Sequence, residues 1–452
     1  MRRHTSLRRA ALFAFFALAP ALLQTTQAAE EPPTASAPSW VAQRVYARST
    51  DKLVQIRILL NGVRTKSSAG SGFFVSSDGL IVTNYHVIAD LALEPLRYSA
   101  EFVATDGTTG VVTLLAFDTA HDLAVVRTER KAGPFFPIAA SSGKALRSGQ
   151  RIFALGNPLD LGFAIAEGTF NGLIEQHFYR QILFTGALNP GMSGGPALDD
   201  EGRVIGVNVA KRRDGELTSF LVPAERVEPL LRRARTRTAG ESAAAPADFK
   251  AQVTQQLIEH QDRVAQRLLA APLPTEKLGD YLVPVAPGEW VRCWANASRN
   301  NEAYVKVDTN RCNSQSAVYV SDRLRAGHIG FNHEFGHADS GARFLRTHAT
   351  GFASEPVGQR RGNALFGATR CTEDFVALAG ATAANPASVQ RVVVCVRAYR
   401  DHAGLYDFTV ATASSDRANR GLQSRLVAHG FSYENGIRIA RRFLESIQWR
   451  PA

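Results

Sequence analysis

Cysteine is scarce in this chain. Only Cys293, Cys312, Cys371 and Cys395 occur among 452 residues. None precedes position 293, so a first domain must hold itself together by its apolar core alone. An even count in an exported chain points to disulfides. Three pairings are possible, and the sequence-local one, Cys293 with Cys312 and Cys371 with Cys395, is the expectation. Long apolar runs are also missing beyond residue 23, which leaves no stretch suited to cross a bilayer as a helix. There is no acidic excess: the formal net charge is +11. The basic residues are scattered apart from Arg232, Arg233, Arg235 and Arg237. That cluster reads as a solvated linker, with contact to anionic envelope polymers or lipid as the other reading. No nucleic-acid partner is expected, and no internal repeat is visible.

The N-terminus supplies what the rest lacks. Arg2, Arg3, Arg8 and Arg9 precede an apolar run from Ala10 to Leu23, then small residues around Ala28 and Ala29. This is the pattern of a secretory signal peptide over residues 1–29. No lipid-accepting cysteine follows it. The expectation is a mature, periplasmic or secreted protein without a transmembrane anchor, its net charge reduced to +7 by loss of four arginines.

Residues 40–233 read as short apolar strands at 53–60, 72–75, 80–83, 111–117, 123–126, 151–155, 181–185, 204–209 and 219–222. Asp78-Gly79, Asp106-Gly107, Glu201-Gly202 and Asp214-Gly215 are the turn signals between them. This is a mainly β domain, expected as a pair of barrels, closed by a short helix over 223–233. Residues 234–280 read as an Arg/Ala/Pro-rich linker followed by a helix over 249–269. In that helix Val253, Leu257, Val264 and Leu268 share one side. Residues 281–452 return to strands, at 290–294, 303–307, 317–320, 375–379, 389–396 and 406–412. They end in an amphipathic helix over 433–447 with Ser432 as N-cap.

Three segments of the first domain can be read together. One is a hairpin that ends in Thr83-Asn84-Tyr85-His86-Val87. Another is Ala120-His121-Asp122-Leu123, at the mouth of a strand. The third is Asn189-Pro190-Gly191-Met192-Ser193-Gly194-Gly195-Pro196, a loop that only small residues could form. A hydroxyl is a poor nucleophile near neutral pH and needs a base; imidazole suits that role, and a carboxylate fixes its tautomer. His86, Asp122 and Ser193 supply the three parts. Taken singly, His86 would be a structural histidine and Asp122 a turn cap, with Asp118 and His121 as nearby decoys and His177 an ordinary strand or surface residue. The order His, Asp, Ser along the chain is that of the chymotrypsin-like double barrel.

Residues 40–230 resemble the trypsin-like protease domain of the Deg/HtrA type. The resemblance rests on Gly70-Ser71-Gly72-Phe73, Thr83-Asn84-Tyr85-His86-Val87, Asp122-Leu123-Ala124, Leu155-Gly156-Asn157-Pro158 and the loop around Ser193, in that order. It implies a serine endopeptidase with Ser193 as nucleophile, His86 as general acid/base and Asp122 as orienting carboxylate. It implies an oxyanion hole from the N–H groups of Gly191 and Ser193, and no cofactor. Met192 stands where zymogen-activated relatives carry an aspartate, so the hole is expected to be ordered by loops 156–168 and 209–218. Ala187 is expected at the base of the substrate pocket, with Ser219, Phe220 and Leu221 as its wall and as the strand that pairs with substrate. Without an acid at the base, small or aliphatic side chains are expected before the scissile bond.

The second half has no motif of that family and no PDZ-like carboxylate-binding loop. It contains His333-Glu334-Phe335-Gly336-His337, which matches the zinc-protease pattern. Glycines crowd the segment and apolar residues alternate with polar ones, so a strand is expected and no metal site. Trp290, Trp294 and Tyr304 are read mainly as core, with a binding face as the other reading. The second half is expected to bind substrate, contact the envelope or cover the active site; oligomeric state is left open. Two other functions remain against the endopeptidase: a binding or chaperone-like module with the protease fold but little cleavage, and a zinc peptidase.

Overall fold

A computed structural model describes residues 39–129, 133–138, 146–211, 217–240, 246–297, 305–353, 364–378, 389–414 and 418–450. The expected signal peptide, Tyr304 and the Asp214-Gly215 turn lie outside them. After helix α1 (Trp40–Ala47), the first half contains strands β1 (Leu53–Leu60), β2 (Thr65–Phe74), β3 (Leu80–Thr83), β4 (Tyr98–Ala104), β5 (Thr109–Val111), β6 (Thr113–Asp118) and β7 (Leu123–Arg127). They form one antiparallel sheet in the order β5-β4-β1-β2-β3-β7-β6. Helix α2 (Tyr85–Leu93) follows β3 directly.

The next six strands are β8 (Arg151–Gly156), β9 (Ala164–Ile174), β10 (Gln181–Thr185), β11 (Pro196–Leu198), β12 (Val204–Lys211) and β13 (Thr218–Pro223). They form a closed barrel, with β9 pairing β10 to complete it. The two-barrel expectation therefore holds for the second unit, while the first is an open seven-stranded sheet. One core spans both: Phe73, Val82 and Val125 of the sheet lie in the same cluster as Phe153, Leu155 and Val207 of the barrel. Helix α3 (Val227–Gly240) closes it with Val227, Leu230, Leu231 and Ala234. The arginine cluster expected in a linker sits on this helix instead. Arg232 faces Glu228, Arg233 faces Asp118, and Arg237 donates to the Leu115 carbonyl.

Helix α4 (Pro246–Leu269) carries one apolar stripe that serves two cores. Phe249, Val253 and Leu257 pack with β1, β2 and α2, whereas Val264, Ala265 and Leu268 pack into the C-terminal half. The 3.6-residue spacing read from the sequence is thus the spacing of a spine between the halves. At about 1.5–3 kcal/mol per buried aliphatic side chain, this helix binds both halves together and is no loose tether.

The C-terminal half contains β14 (Thr275–Leu278), β15 (Tyr281–Pro284), β16 (Val291–Ala297), β17 (Lys306–Ser314), the hairpin β18 (Val318–Ser321) and β19 (Leu324–Ala326), β20 (His328–His337), helix α5 (Gly341–Ala353), β21 (Arg370–Ala377), β22 (Val389–Ala398), β23 (Tyr406–Ser414), β24 (Arg420–Phe431), helix α6 (Tyr433–Glu445) and β25 (Gln448–Trp449). Its main sheet runs β16-β17-β20-β24-β23-β22-β21. Ser432 caps α6 by accepting from the Asn435 N–H. Cys293 is bonded to Cys312 and Cys371 to Cys395, each pair directly opposite across adjacent strands. The two bridges therefore staple β16 and β21, the edge strands among the described residues, to their neighbours in the sheet.

Trp290 is buried, and Trp294 is 69% exposed. The His333-to-His337 motif lies inside β20 and not on a helix. Both ring nitrogens of buried His333 are engaged, Nδ1 with Ser424 Oγ and Nε2 with the Pro284 carbonyl, each at 2.8 Å. Burial lowers its pKa to about 4 despite the bond to the Pro284 carbonyl. Asn332 donates to Glu334. The motif is a strand that buries an occupied histidine.

Candidate active site

The three candidate residues come from the junction of the sheet and the barrel. His86 stands in the first turn of α2, Asp122 between β6 and β7, and Ser193 between β10 and β11. Asp122 grips His86 twice: Oδ1 accepts the His86 backbone N–H at 2.8 Å, and Oδ2 meets Nδ1 at 2.6 Å. The second contact places the proton on Nδ1 and leaves Nε2 as the basic nitrogen. Asp122 has φ +55, a left-handed conformation that is costly for a non-glycine residue. The Asn84 side chain holds it there by donating to the Asp122 carbonyl at 2.7 Å. Burial pulls the His86 pKa down, but the charge and hydrogen bond of Asp122 outweigh it, so the net shift is upward. The decoy pair is real as well: His121 Nδ1 lies 2.9 Å from Asp118 Oδ2, beside Tyr179 rather than Ser193.

The loop around Ser193 is shaped by two positive-φ glycines. At Gly191 (φ +94) a Cβ would stand 2.3 Å from the Asn157 carbonyl oxygen, and at Gly194 (φ +86) 2.3 Å from that of Ser71. The Pro190 carbonyl accepts from Leu159 N–H, and the Met192 carbonyl from Gly195 N–H and Asn208 Nδ2. In a trans peptide the N–H opposes the carbonyl. The N–H groups of Gly191 and Ser193 therefore point away from these anchors, and neither has an acceptor among the described residues. Met192 is buried in the barrel core with Ile152, Leu188 and Leu221. Of the two loops expected to order this region, the one after β8 contributes through Leu159. Residues 212–216 of the other lie outside the described residues.

Ser71 is a buried anchor of the Ser193 loop that sequence reasoning did not single out. It is fully buried. Its N–H donates to the Ser193 carbonyl, and its Oγ accepts from Asn157 N–H at 2.9 Å and donates to the Gly191 carbonyl at 2.7 Å. Thr83 Oγ1 in turn donates to the Ser71 carbonyl. One side chain thus ties the sheet to the Ser193 loop and to the loop that supports it. The Gly70-Ser71-Gly72 segment was a visible signal, but nothing in sequence says which loop it touches.

The Ser193 hydroxyl donates to the Val209 carbonyl at 2.9 Å and not to His86. Val209 sits at a register shift in β12, between the Asn208–Leu221 and Ala210–Phe220 pairs. This bears on the substrate strand. β13, expected to pair with substrate through Ser219, Phe220 and Leu221, is already bonded on both edges, to β10 and to β12. A strand has only two edges, so β13 has none left. Leu221 points into the barrel core and not to a pocket. Ser219 is buried and donates to the Gly186 carbonyl; Phe220 packs against His177. Ala187 is exposed beside them. Among the described residues, the edge that remains open next to Ser193 is β12 beyond Asn208, because β11 pairs β12 only as far as Val207.

A closed barrel beside an antiparallel sheet, with Ser, His and Asp brought to their junction, defines a chymotrypsin-like fold. The trypsin-like peptidase domain family matches residues 70–207. The chain is 33% identical over 183 residues to "Protease Do-like 1, chloroplastic" of Arabidopsis thaliana, covering 37% of this chain and 40% of that protein. It is 39% identical over 145 residues to "Probable periplasmic serine endoprotease DegP-like" of Bartonella henselae, 31% and 27% of the respective chains. It is 30% identical over 321 residues to "Serine protease PepD" of Mycobacterium tuberculosis, 66% and 64%. This chain therefore carries a trypsin-like peptidase domain of the Deg/HtrA type. It spans about two fifths of the length of the first such relatives.

Proposed function

We propose that the protein is an exported serine endopeptidase that cleaves proteins through an acyl-enzyme. The observation that carries this reading is the double grip of Asp122 on His86, which presents Nε2 as a base. In this reading Ser193 attacks the scissile carbonyl and passes its proton to His86 Nε2. Asp122 stabilises the imidazolium, and the unengaged N–H groups of Gly191 and Ser193 hold the oxyanion. His86 then protonates the leaving amine. Water hydrolyses the ester by the same route, and no cofactor enters.

The Val209 carbonyl is the acceptor that an incoming strand needs at the open edge of β12. A substrate N–H that takes it displaces the Ser193 hydroxyl, which is then free to turn to His86. With Ala187 and no acid at the pocket base, side chains before the scissile bond are small or aliphatic. Export is supported by the N-terminal pattern, by the two disulfides and by the periplasmic designation of a relative. Among the described residues no helix is long and apolar enough to cross a membrane.

A second reading, a binding or chaperone-like module with little cleavage, draws on the Ser193–Val209 hydrogen bond. Digestion of an unfolded protein, with sequencing of the products, separates the two. Wild type yields fragments that end in small or aliphatic residues, and Ser193→Ala yields none. Fragments ending mainly in Arg or Lys would refute the pocket assignment. Intact protein with both enzymes would favour the binding module.

A further inference from the structure

We propose that Tyr319, carried by the β18–β19 hairpin of the C-terminal half, is a positioning residue for the His86 imidazole. The C-terminal half would then complete the active site in cis. The inference rests on the endopeptidase reading and extends it to a part of the chain that reading does not use.

The hairpin reaches the site across 235 residues of sequence. Val318, Val320, Leu324 and Ala326 are buried in the core that also holds Tyr85, Ile88 and Ala89 of α2 and Leu257 of α4. Packing of this kind fixes the hairpin rigidly against α2. The Val320 carbonyl accepts from the Tyr85 hydroxyl at 3.4 Å, one residue before His86. The Tyr319 ring then meets His86 edge-on, with centroids 5.9 Å apart and planes at 68°. It also meets the Tyr85 ring at 6.4 Å.

Tyr319 is itself held on two sides. Its hydroxyl donates to Asp322 Oδ1 at 2.8 Å, and the Arg325 guanidinium lies over its ring at 5.5 Å. Asp122 grips one edge of the imidazole; Tyr319 blocks another, so that rotation of the ring meets a wall. An aromatic edge contact of this geometry contributes about 0.5–1.5 kcal/mol. That is small for stability, but small displacements of a base from its reacting partner cost far more in rate.

The hairpin also brings charge to the site. The groups facing His86 are Asp122 from the mouth of β7 and Asp322 and Arg325 from the hairpin, with Tyr319 the neighbouring phenol. Behind burial and Asp122, Arg325 opposes the imidazolium and Asp322 favours it. Asp322 and Arg325 are exposed, so either can be changed without opening the core.

The test uses the full chain. A small fluorophosphonate that labels the serine reports the reactivity set by His86 without reaching into a substrate subsite, and peptide hydrolysis gives kcat and KM separately. Tyr319→Ala is expected to slow labelling and kcat by roughly tenfold or more, with KM within about twofold, and Tyr319→Phe to restore both because it keeps the ring. Arg325→Ala is expected to move the acid limb of kcat/KM to higher pH, and Asp322→Asn to lower pH. Thermal melts show whether Tyr319→Ala is folded; if it is not, Tyr319→Leu, which fills much of the space without an aromatic edge, carries the test. Labelling at the wild-type rate by folded Tyr319→Ala, or a rise in KM with kcat intact, overturns the positioning role. Unmoved acid limbs in both charge variants overturn the claim that the hairpin brings charge to His86. A folded wild type that neither labels nor cleaves overturns the endopeptidase reading itself.

Discussion

Ser71→Ala is the perturbation that most sharply tests how the Ser193 loop is held. The hydroxyl is fully buried and serves two partners, Asn157 N–H and the Gly191 carbonyl. Alanine fits the space but leaves both groups buried without a partner. An unsatisfied buried group costs about 1–3 kcal/mol, so the pair costs about 2–6 kcal/mol if no water replaces the hydroxyl. At about 2–4 °C per kcal/mol for a domain of this scale, the melting temperature falls by roughly 4–24 °C. The catalytic effect is separate. The Gly191 carbonyl loses its anchor, and the peptide between the two candidate oxyanion donors is free to rotate. Outright loss of one donor costs about 10²–10³ in rate, so a loosened one is expected to lower kcat by about tenfold to a hundredfold. KM should hardly move, because the open edge of β12 is untouched. Thermal melts and steady-state peptide hydrolysis read the two effects, and Ser71→Cys, which keeps the volume but bonds weakly, should resemble Ala. Turnover within twofold of wild type in both variants would refute the claim that Ser71 orders this loop.

Other outcomes follow from the same geometry. Asp122→Asn places an amide against Nδ1 and disfavours the tautomer with a free Nε2; in related triads such a change costs about 10⁴ in kcat, and a loss below tenfold would count against the orienting role. For wild type, burial depresses and Asp122 raises the His86 pKa, with a net rise above 6.5. Activity requires the neutral ring, so kcat/KM should climb through a midpoint above 6.5, and a midpoint below it contradicts the assignment. The same shift stabilises the fold fully below pH 6.5, a contribution lost as pH rises through the folded-state pKa. Met192→Asp would bury an unpaired carboxylate in the barrel core and should destabilise by several kcal/mol rather than create an activation switch; an unchanged melt would contradict this. Replacing Cys371 and Cys395 by serine should lower stability by about 2–4 kcal/mol through the C-terminal sheet, with protease labelling unaffected in the folded variant.

Much of the fold was legible because its strands are locally consistent. The 53–60, 80–83 and 181–185 strands have the bounds that their apolar runs and flanking turns indicate. α2 was hidden: Tyr85, Ile88, Ala89 and Ala92 form its buried face, but Val87, Leu91 and Leu93 add apolar residues on other sides, so the short segment shows no clean stripe. β9 was missed because most of its residues are only half-buried and its glycines break the pattern. The candidate triad residues could be named because each lies in a short motif of special residue types. The candidate substrate edge could not, because only the strand pairing decides whether β12 or β13 has a free side. Ser71 and Tyr319 were beyond reach for a related reason. Their roles are contacts between segments far apart in sequence, and a single chain records no pairing of that kind.

The most direct measurement is the site of covalent capture. Full-length protein treated with a fluorophosphonate, digested and examined by mass spectrometry should carry one adduct, on Ser193, and Ser193→Ala and His86→Ala should carry none. An adduct on another serine, or folded wild type that stays unmodified while a chelator abolishes its proteolysis, would contradict the account.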